Sequence, residues 1–158
     1  MDKGKEEIYM REALKEAMMA FEEDEVPVGA VIVRDKKIIA RAHNQVERLK
    51  DPTAHAEMIA ITQAVSTLSG KWLSGASIYV TIEPCSMCAG ALVLSRIKNL
   101  YFGADDPKTG ACGSVTNIVN HKKLNHKIKV GKGLLKKECS SILTEFFRKK
   151  RSQNNKGL

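Results

Sequence analysis

The sequence predicts a layered α/β domain, on three observations. Short apolar runs of strand length alternate with longer segments whose apolar residues recur at helical spacing. The chain has 158 residues, one domain's worth, and shows no internal repeat or interdomain linker. At that length folding withdraws about two thirds of the extended chain's surface from water, so a core forms without disulfide staples. A composition that is 43% hydrophobic and 28% charged excludes a wholly disordered chain.

Each element has its own signal. Met10, Ala13, Leu14, Ala17, Met18 and Phe21 recur at spacings of three and four, which predicts an amphipathic helix over residues 6–22. The acidic run 22–25 and Pro27 end it. Apolar runs at 28–33 and 38–42, around a polar turn at Asp35, Lys36 and Lys37, read as a hairpin. Residues 55–68 carry apolar side chains on more than one face, so this helix is expected to be central and buried. Residues 77–82 read as a third strand, and Pro84 stops it at the start of a helix over 86–95. A fourth strand follows at 99–103, then a loop rich in Asp, Gly and Ser and a weak strand at 128–130. Leu134, Leu135, Ile142, Leu143, Phe146 and Phe147 mark a final helix. Residues 1–151 are thus expected to form one domain, with 152–158 a frayed tail.

The charge excludes some roles and favours others. The longest apolar stretch is six residues, far short of the roughly 20 that span a bilayer. Glu6, Glu7, Glu12 and Glu16 interrupt any apolar leader, so a cytoplasmic location is expected, with the four cysteines as ligands or buried thiols. Residues 1–119 have a net charge of −2, whereas residues 120–158 have +10. Such a one-sided field suits a polyanion, with nucleic acid the leading candidate; the alternative is a solubilising tail.

His55, Glu57, Cys85 and Cys88 carry the chemistry. The two cysteines are three apart on the first turn of a predicted helix, so both sulfurs face one side and can grip one ion. The positive helix end favours thiolates, and two thiolates with one imidazole suit zinc. Three protein ligands leave a fourth position for water or substrate, and Glu57 is placed to take a proton from that water. A redox pair, or a closed zinc knot completed by Cys112, Cys139, His43, His121 or His126, is the alternative. A closed knot gives Glu57 and Pro84 no part. Histidine and glutamate in H-x-E, with P-C-x-x-C downstream, is the signature of zinc nucleobase deaminases.

With these residues the chain resembles the cytidine deaminase-like superfamily and, within it, the bacterial tRNA-specific adenosine deaminases. The likeness rests on EVPVGA from Glu25, AHN from Ala42, PTAHAE from Pro52, EPCSMC from Glu83, GADDPKTG from Gly103, NH from Asn125 and FFR from Phe146. The first four segments recur more loosely in nucleotide deaminases; the last three look specific to the tRNA enzymes. The resemblance implies a three-layer α/β/α sandwich around a mixed five-stranded sheet, one zinc per subunit, a homodimer, and conversion of adenosine to inosine at the wobble position of tRNA. It makes His55, Cys85 and Cys88 the ligands, Glu57 the proton carrier, Asn44 a hydrogen-bond partner of the target base and Val28 part of its apolar wall. Asp105, Asp106 and Lys108 become the loop holding neighbouring nucleotides, and Asn125 and Phe146 further anticodon-loop contacts.

The residues themselves leave alternatives open. Asn44 can cap the chain where a strand ends, Asp105-Asp106-Pro107 is a good turn, and Phe146 lies on the apolar stripe of the last helix. Arg148, Lys149, Lys150 and Arg151 are candidates for phosphate contact. Two rival functions are a free-nucleotide or free-base deaminase and a non-catalytic, zinc-stabilised RNA-binding protein.

Overall fold

The computed structural model describes residues 3–156. In chain order the elements are α1 (Lys3–Glu22), β1 (Gly29–Arg34), β2 (Lys37–His43), α2 (Val46–Leu49), α3 (Ala56–Leu68), β3 (Ser77–Ile82), α4 (Ser86–Leu94), β4 (Asn99–Ala104), β5 (Lys129–Lys132) and α5 (Lys136–Lys156). The strands form one sheet in the order β2-β1-β3-β4-β5. β1 is antiparallel to β2 and β3, whereas β3, β4 and β5 run parallel, so the sheet is mixed as expected. Helices α1 and α5 cover one face, and α3 with α4 the other.

Alternation along the strands builds two cores. Ala30, Ile32, Ile78, Val80, Leu100 and Phe102 point toward α3 and α4 and meet Ala56, Ala60, Ala64, Ala89 and Leu92. Their neighbours Val31, Val33, Tyr79 and Tyr101 point the other way, against Met10, Ala13 and Cys139. The alanines of α3 let it lie close on the sheet, which explains a helix with apolar residues on several faces. At Gly29 a Cβ would stand 1.9 Å from the Ala13 carbonyl oxygen, so α1 seats directly on β1.

Three differences from the sequence reading have local causes. The short helix α2 falls in a stretch expected to be loop, because its N–H groups at Glu47 and Arg48 are accepted by the buried Glu25 carboxylate, 25 residues of fold away from any local signal. Leu134 and Leu135 precede α5, with Leu135 at φ 53°, since the chain must turn before that helix can start. α5 continues through Lys156, so residues 152–156 are helical where a frayed tail was expected; residues 157 and 158 lie outside the described ones. Among the described residues no helix is long and apolar enough to cross a membrane.

Candidate metal centre and active site

Two helix starts converge at one end of the sheet. His55 is the N-cap residue of α3, and the N–H of Ala56 behind it donates to Asn44 Oδ1 at 2.8 Å. Cys85 is the N-cap residue of α4, and Cys88 lies one turn on. His55 Nδ1 is 3.7 Å from Cys85 Sγ and 3.5 Å from Cys88 Sγ, and the three donors lie within 4.8 Å of one another. A tetrahedral ion with Zn–S of about 2.3 Å and Zn–N of about 2.0–2.1 Å separates its N and S ligands by about 3.6 Å, so the set fits. The positive ends of both helix dipoles point here and favour anionic sulfur.

The ionisable groups are tuned by one another. Hydrogen bonds from Cys88 and then His55 pull the Cys85 thiol down to about 4, against the effect of burial. Cys88 is pushed up, because it donates to Cys85 and is buried. Glu57 is only 3% exposed, and desolvation lifts its carboxyl to about 7. Cys112 and Cys139 are buried and pushed up, the latter to about 12, as expected of inert thiols. Neither joins the metal set, nor does any other histidine, among the described residues.

The donors floor a pocket of about 1150 Å³, walled in part by Val28, Asn44, Ile82, Asp106 and Phe146. Asn44 serves both readings: its Oδ1 holds α3, while its Nδ2 has no hydrogen-bond partner among the described residues. Asp106 also has a structural task, since its carboxylate accepts from the N–H groups of Lys108 and Thr109 and the Thr109 hydroxyl. Asp105, Lys108 and Asn125 are exposed and do not line the pocket; Asp105 pairs with Lys136 at 3.1 Å. Phe146 packs edge-on against Phe21 at 5.8 Å and is 5% exposed, while Phe147 is the exposed ring at the rim.

Two buried carboxylates escaped the sequence reading. Glu83 Oε1 accepts from the Asp106 N–H and the Ser114 hydroxyl, and Oε2 from the N–H groups of Cys112 and Ser114. Burial alone would raise its pKa, but these donors hold it below the usual carboxylate range. Glu83 thereby fixes the loop over residues 106–114 beside the Pro84 turn, helped by the Ala111 N–H donating to the Pro84 carbonyl. Glu25, in an acidic run that reads only as a helix stop, does the same for α2.

His43 joins the end of β2 to α1: Nδ1 is 3.0 Å from Glu16 Oε1, and Nε2 is 2.7 Å from Glu23 Oε2. Burial would lower its pKa, but the two carboxylates outweigh burial and raise it. The fold therefore favours the protonated ring. That stabilisation is complete below the unfolded value of about 6.5 and is lost as pH rises through the higher folded value. His43→Gln is expected to cost about 1–3 kcal/mol at pH 6 and clearly less at pH 9, read by urea denaturation. A cost constant across that range would show that the ring is bound neutral throughout.

Comparison with known proteins agrees with this geometry. The family model described as MafB19-like deaminase matches residues 4–151. The tRNA-specific adenosine deaminase of Bacillus subtilis is 50% identical over 149 residues, covering 94% of this chain and 92% of the relative. That of Aquifex aeolicus is 53% identical over 146 residues, covering 92% and 96%. A solved structure from a study of A-to-I editing by tRNA deaminases at the wobble position superposes with a TM-score of 0.83 at 46% identity, covering 85% of this chain and 98% of its own. Guanine deaminase from Bacillus subtilis has a TM-score of 0.60 at 38% identity, covering 63% and 64%. With its donor set, buried glutamate and near full-length identity to these relatives, the chain belongs to the tRNA-specific adenosine deaminase family.

Proposed function

We propose that this chain hydrolyses adenosine to inosine at the wobble position of a tRNA anticodon, with zinc held by His55, Cys85 and Cys88. The observation that carries the reading is Glu57 buried beside an S₂N donor set on the floor of a pocket open to a flipped base. Zinc, when bound, supplies Lewis acidity that lets water lose a proton near neutral pH. Glu57 is the group that takes this proton and delivers it to N1 of the adenine as water oxygen adds at C6. A second transfer through the same carboxylate protonates the exocyclic amine, which leaves as ammonia. Asn44 Nδ2 donates to the base, and Val28 and Ile82 close on its faces. An anticodon loop presents bases already partly unstacked, which lowers the cost of entry.

Asp105, Asp106, Lys108, Asn125 and Phe146 are proposed to contact the flanking nucleotides, and Arg148, Lys149, Lys150 and Arg151 the phosphates. Arg148 is paired with Glu145 and Lys150 with Asp24, both at 2.6 Å. Exposed pairs of this kind are worth about 0–1 kcal/mol, so a phosphate can displace the carboxylate at little cost. A homodimer and a cytoplasmic location belong to the same reading; the exposed Leu94 and the four unpaired cysteines support them.

The test is incubation of the zinc-loaded protein with anticodon stem-loop RNA and, separately, with adenosine, guanine and cytidine nucleotides. Inosine is expected from the RNA alone. Deamination of guanine or a free nucleotide, with the RNA untouched, would replace this reading by the free-substrate one that the guanine deaminase likeness favours.

A further inference from the structure

The chain's 18 carboxylates are confined to part of it. None falls in residues 58–82, 84–104 or 107–137, yet these segments hold eleven of the 26 Lys and Arg. In the fold they form most of α3, then β3, α4, β4, the long loop and β5, which are neighbours. Their ends meet at the pole of the sheet away from the metal set: the end of α3, the starts of β3 and β4, and the chain entering β5. Asp35, in the β1–β2 turn, is the carboxylate at that end of the sheet, beyond β3 on the other side.

At this pole Trp72, Arg96, Lys98, His126 and Lys127 line a hollow of about 470 Å³. Trp72 is the chain's single tryptophan and is 51% exposed. The Lys71 ammonium stands 4.8 Å from its ring centroid and the Arg96 guanidinium 5.4 Å. Among the described residues Lys71, Arg96 and Lys98 form no ion pair, unlike Arg148 and Lys150 of the tail. Lys127 instead braces its own loop, donating to the carbonyls of His121 and Leu124. The platform is fixed: the Leu73 N–H donates to Ser95 O at 2.7 Å, the Lys98 N–H to Ala76 O at 2.9 Å, and His126 Nε2 lies 2.7 Å from Ile97 O.

An exposed indole among unpaired cations on a rigid frame has the chemistry that single-stranded nucleic acid requires, with a ring for a base to stack on and cations for the phosphates on either side. An acidic protein would satisfy the cations and leave the ring without a partner. We propose that the Trp72 pole is a second RNA-binding site, taking an unpaired nucleotide and its flanking phosphates. It is separate from the catalytic pocket by the length of α3, 13 residues or about 20 Å. The proposal goes beyond the deaminase reading and does not depend on it.

The experiment titrates Trp72 emission of the full chain with octauridylate, an RNA that contains no adenosine and whose readout is not inosine. Saturable quenching is expected, with affinity falling about tenfold or more from 50 to 200 mM salt if three phosphates are neutralised. Lys71→Gln/Arg96→Gln/Lys98→Gln is expected to flatten the salt slope by up to about 2. Trp72→Ala, followed with end-labelled RNA, should bind about 5-fold to 150-fold more weakly, the range for loss of one base stack. Lys98→Gln alone removes an exposed cation with no side-chain partner among the described residues, and keeps the test valid if the triple variant is poorly folded. Unchanged Trp72 emission, or equal slopes for parent and Lys98→Gln, would overturn the site whether or not the protein deaminates RNA.

Discussion

Glu57→Gln is expected to lower single-turnover deamination of anticodon stem-loop RNA by about 10³-fold or more, with zinc content and RNA affinity unchanged. A positioned acid-base group contributes about 10² to 10⁴-fold, and this carboxylate serves more than one proton transfer, which places the loss in the upper part of that range. Gln has the shape of Glu and cannot accept the proton. The fold should not suffer: desolvation lifts the carboxyl of the metal-free protein to about 7, so its ionised form opposes folding above the unfolded value near 4.5. Metal-free Glu57→Gln should therefore be at least as stable as the parent at pH 8. Near-normal single-turnover chemistry would remove Glu57 from the mechanism.

Cys88→Ala is expected to abolish stoichiometric zinc and, with it, activity. Cys88 is fully buried, and its sulfur lies 3.5 Å from His55 Nδ1, so its loss leaves two protein donors. Alanine fills nearly the same space, and secondary structure should be retained. Cys112→Ala and Cys139→Ala form the comparison, because both thiols are buried away from the donor set and those variants should keep metal and turnover. Metal analysis after dialysis against a chelator, together with an inosine assay, decides the matter. Full zinc and full activity in Cys88→Ala would show that the cluster is not the metal site.

The strands, the long helices and the donor set were legible because each is written in a local pattern. Alternation in 77–82, helical spacing in α1 and the H-x-E and C-x-x-C spacings need no knowledge of distant residues. What was illegible depends on a partner far along the chain. α2 exists because Glu25 caps it from the other side of β1 and β2, and Glu83 is functional only once residues 106–114 fold back onto it. His43 has two ring nitrogens committed to α1, which no sequence spacing announces. The net charge of the last 39 residues pointed to the tail alone. In the fold Lys122, Lys123, Lys127 and Lys129 instead lie on the loop and strand at the far pole, and two of the four tail cations are already paired.

Glu83 also sets how this pocket can be re-engineered. Three of its four hydrogen bonds are read from backbone N–H groups, at Asp106, Cys112 and Ser114, and so are indifferent to most side chains there. Pro107, Lys108 and Thr109 are exposed between the anchors and open to redesign or exchange. Gly110 is the fixed point, since a Cβ there would stand 2.4 Å from the Glu83 carboxyl. The catalytic floor and the wall beside it are thus two separable modules joined by one carboxylate. A library confined to residues 107–109 samples new substrate contacts while the metal turn, on the other side of that joint, keeps its shape.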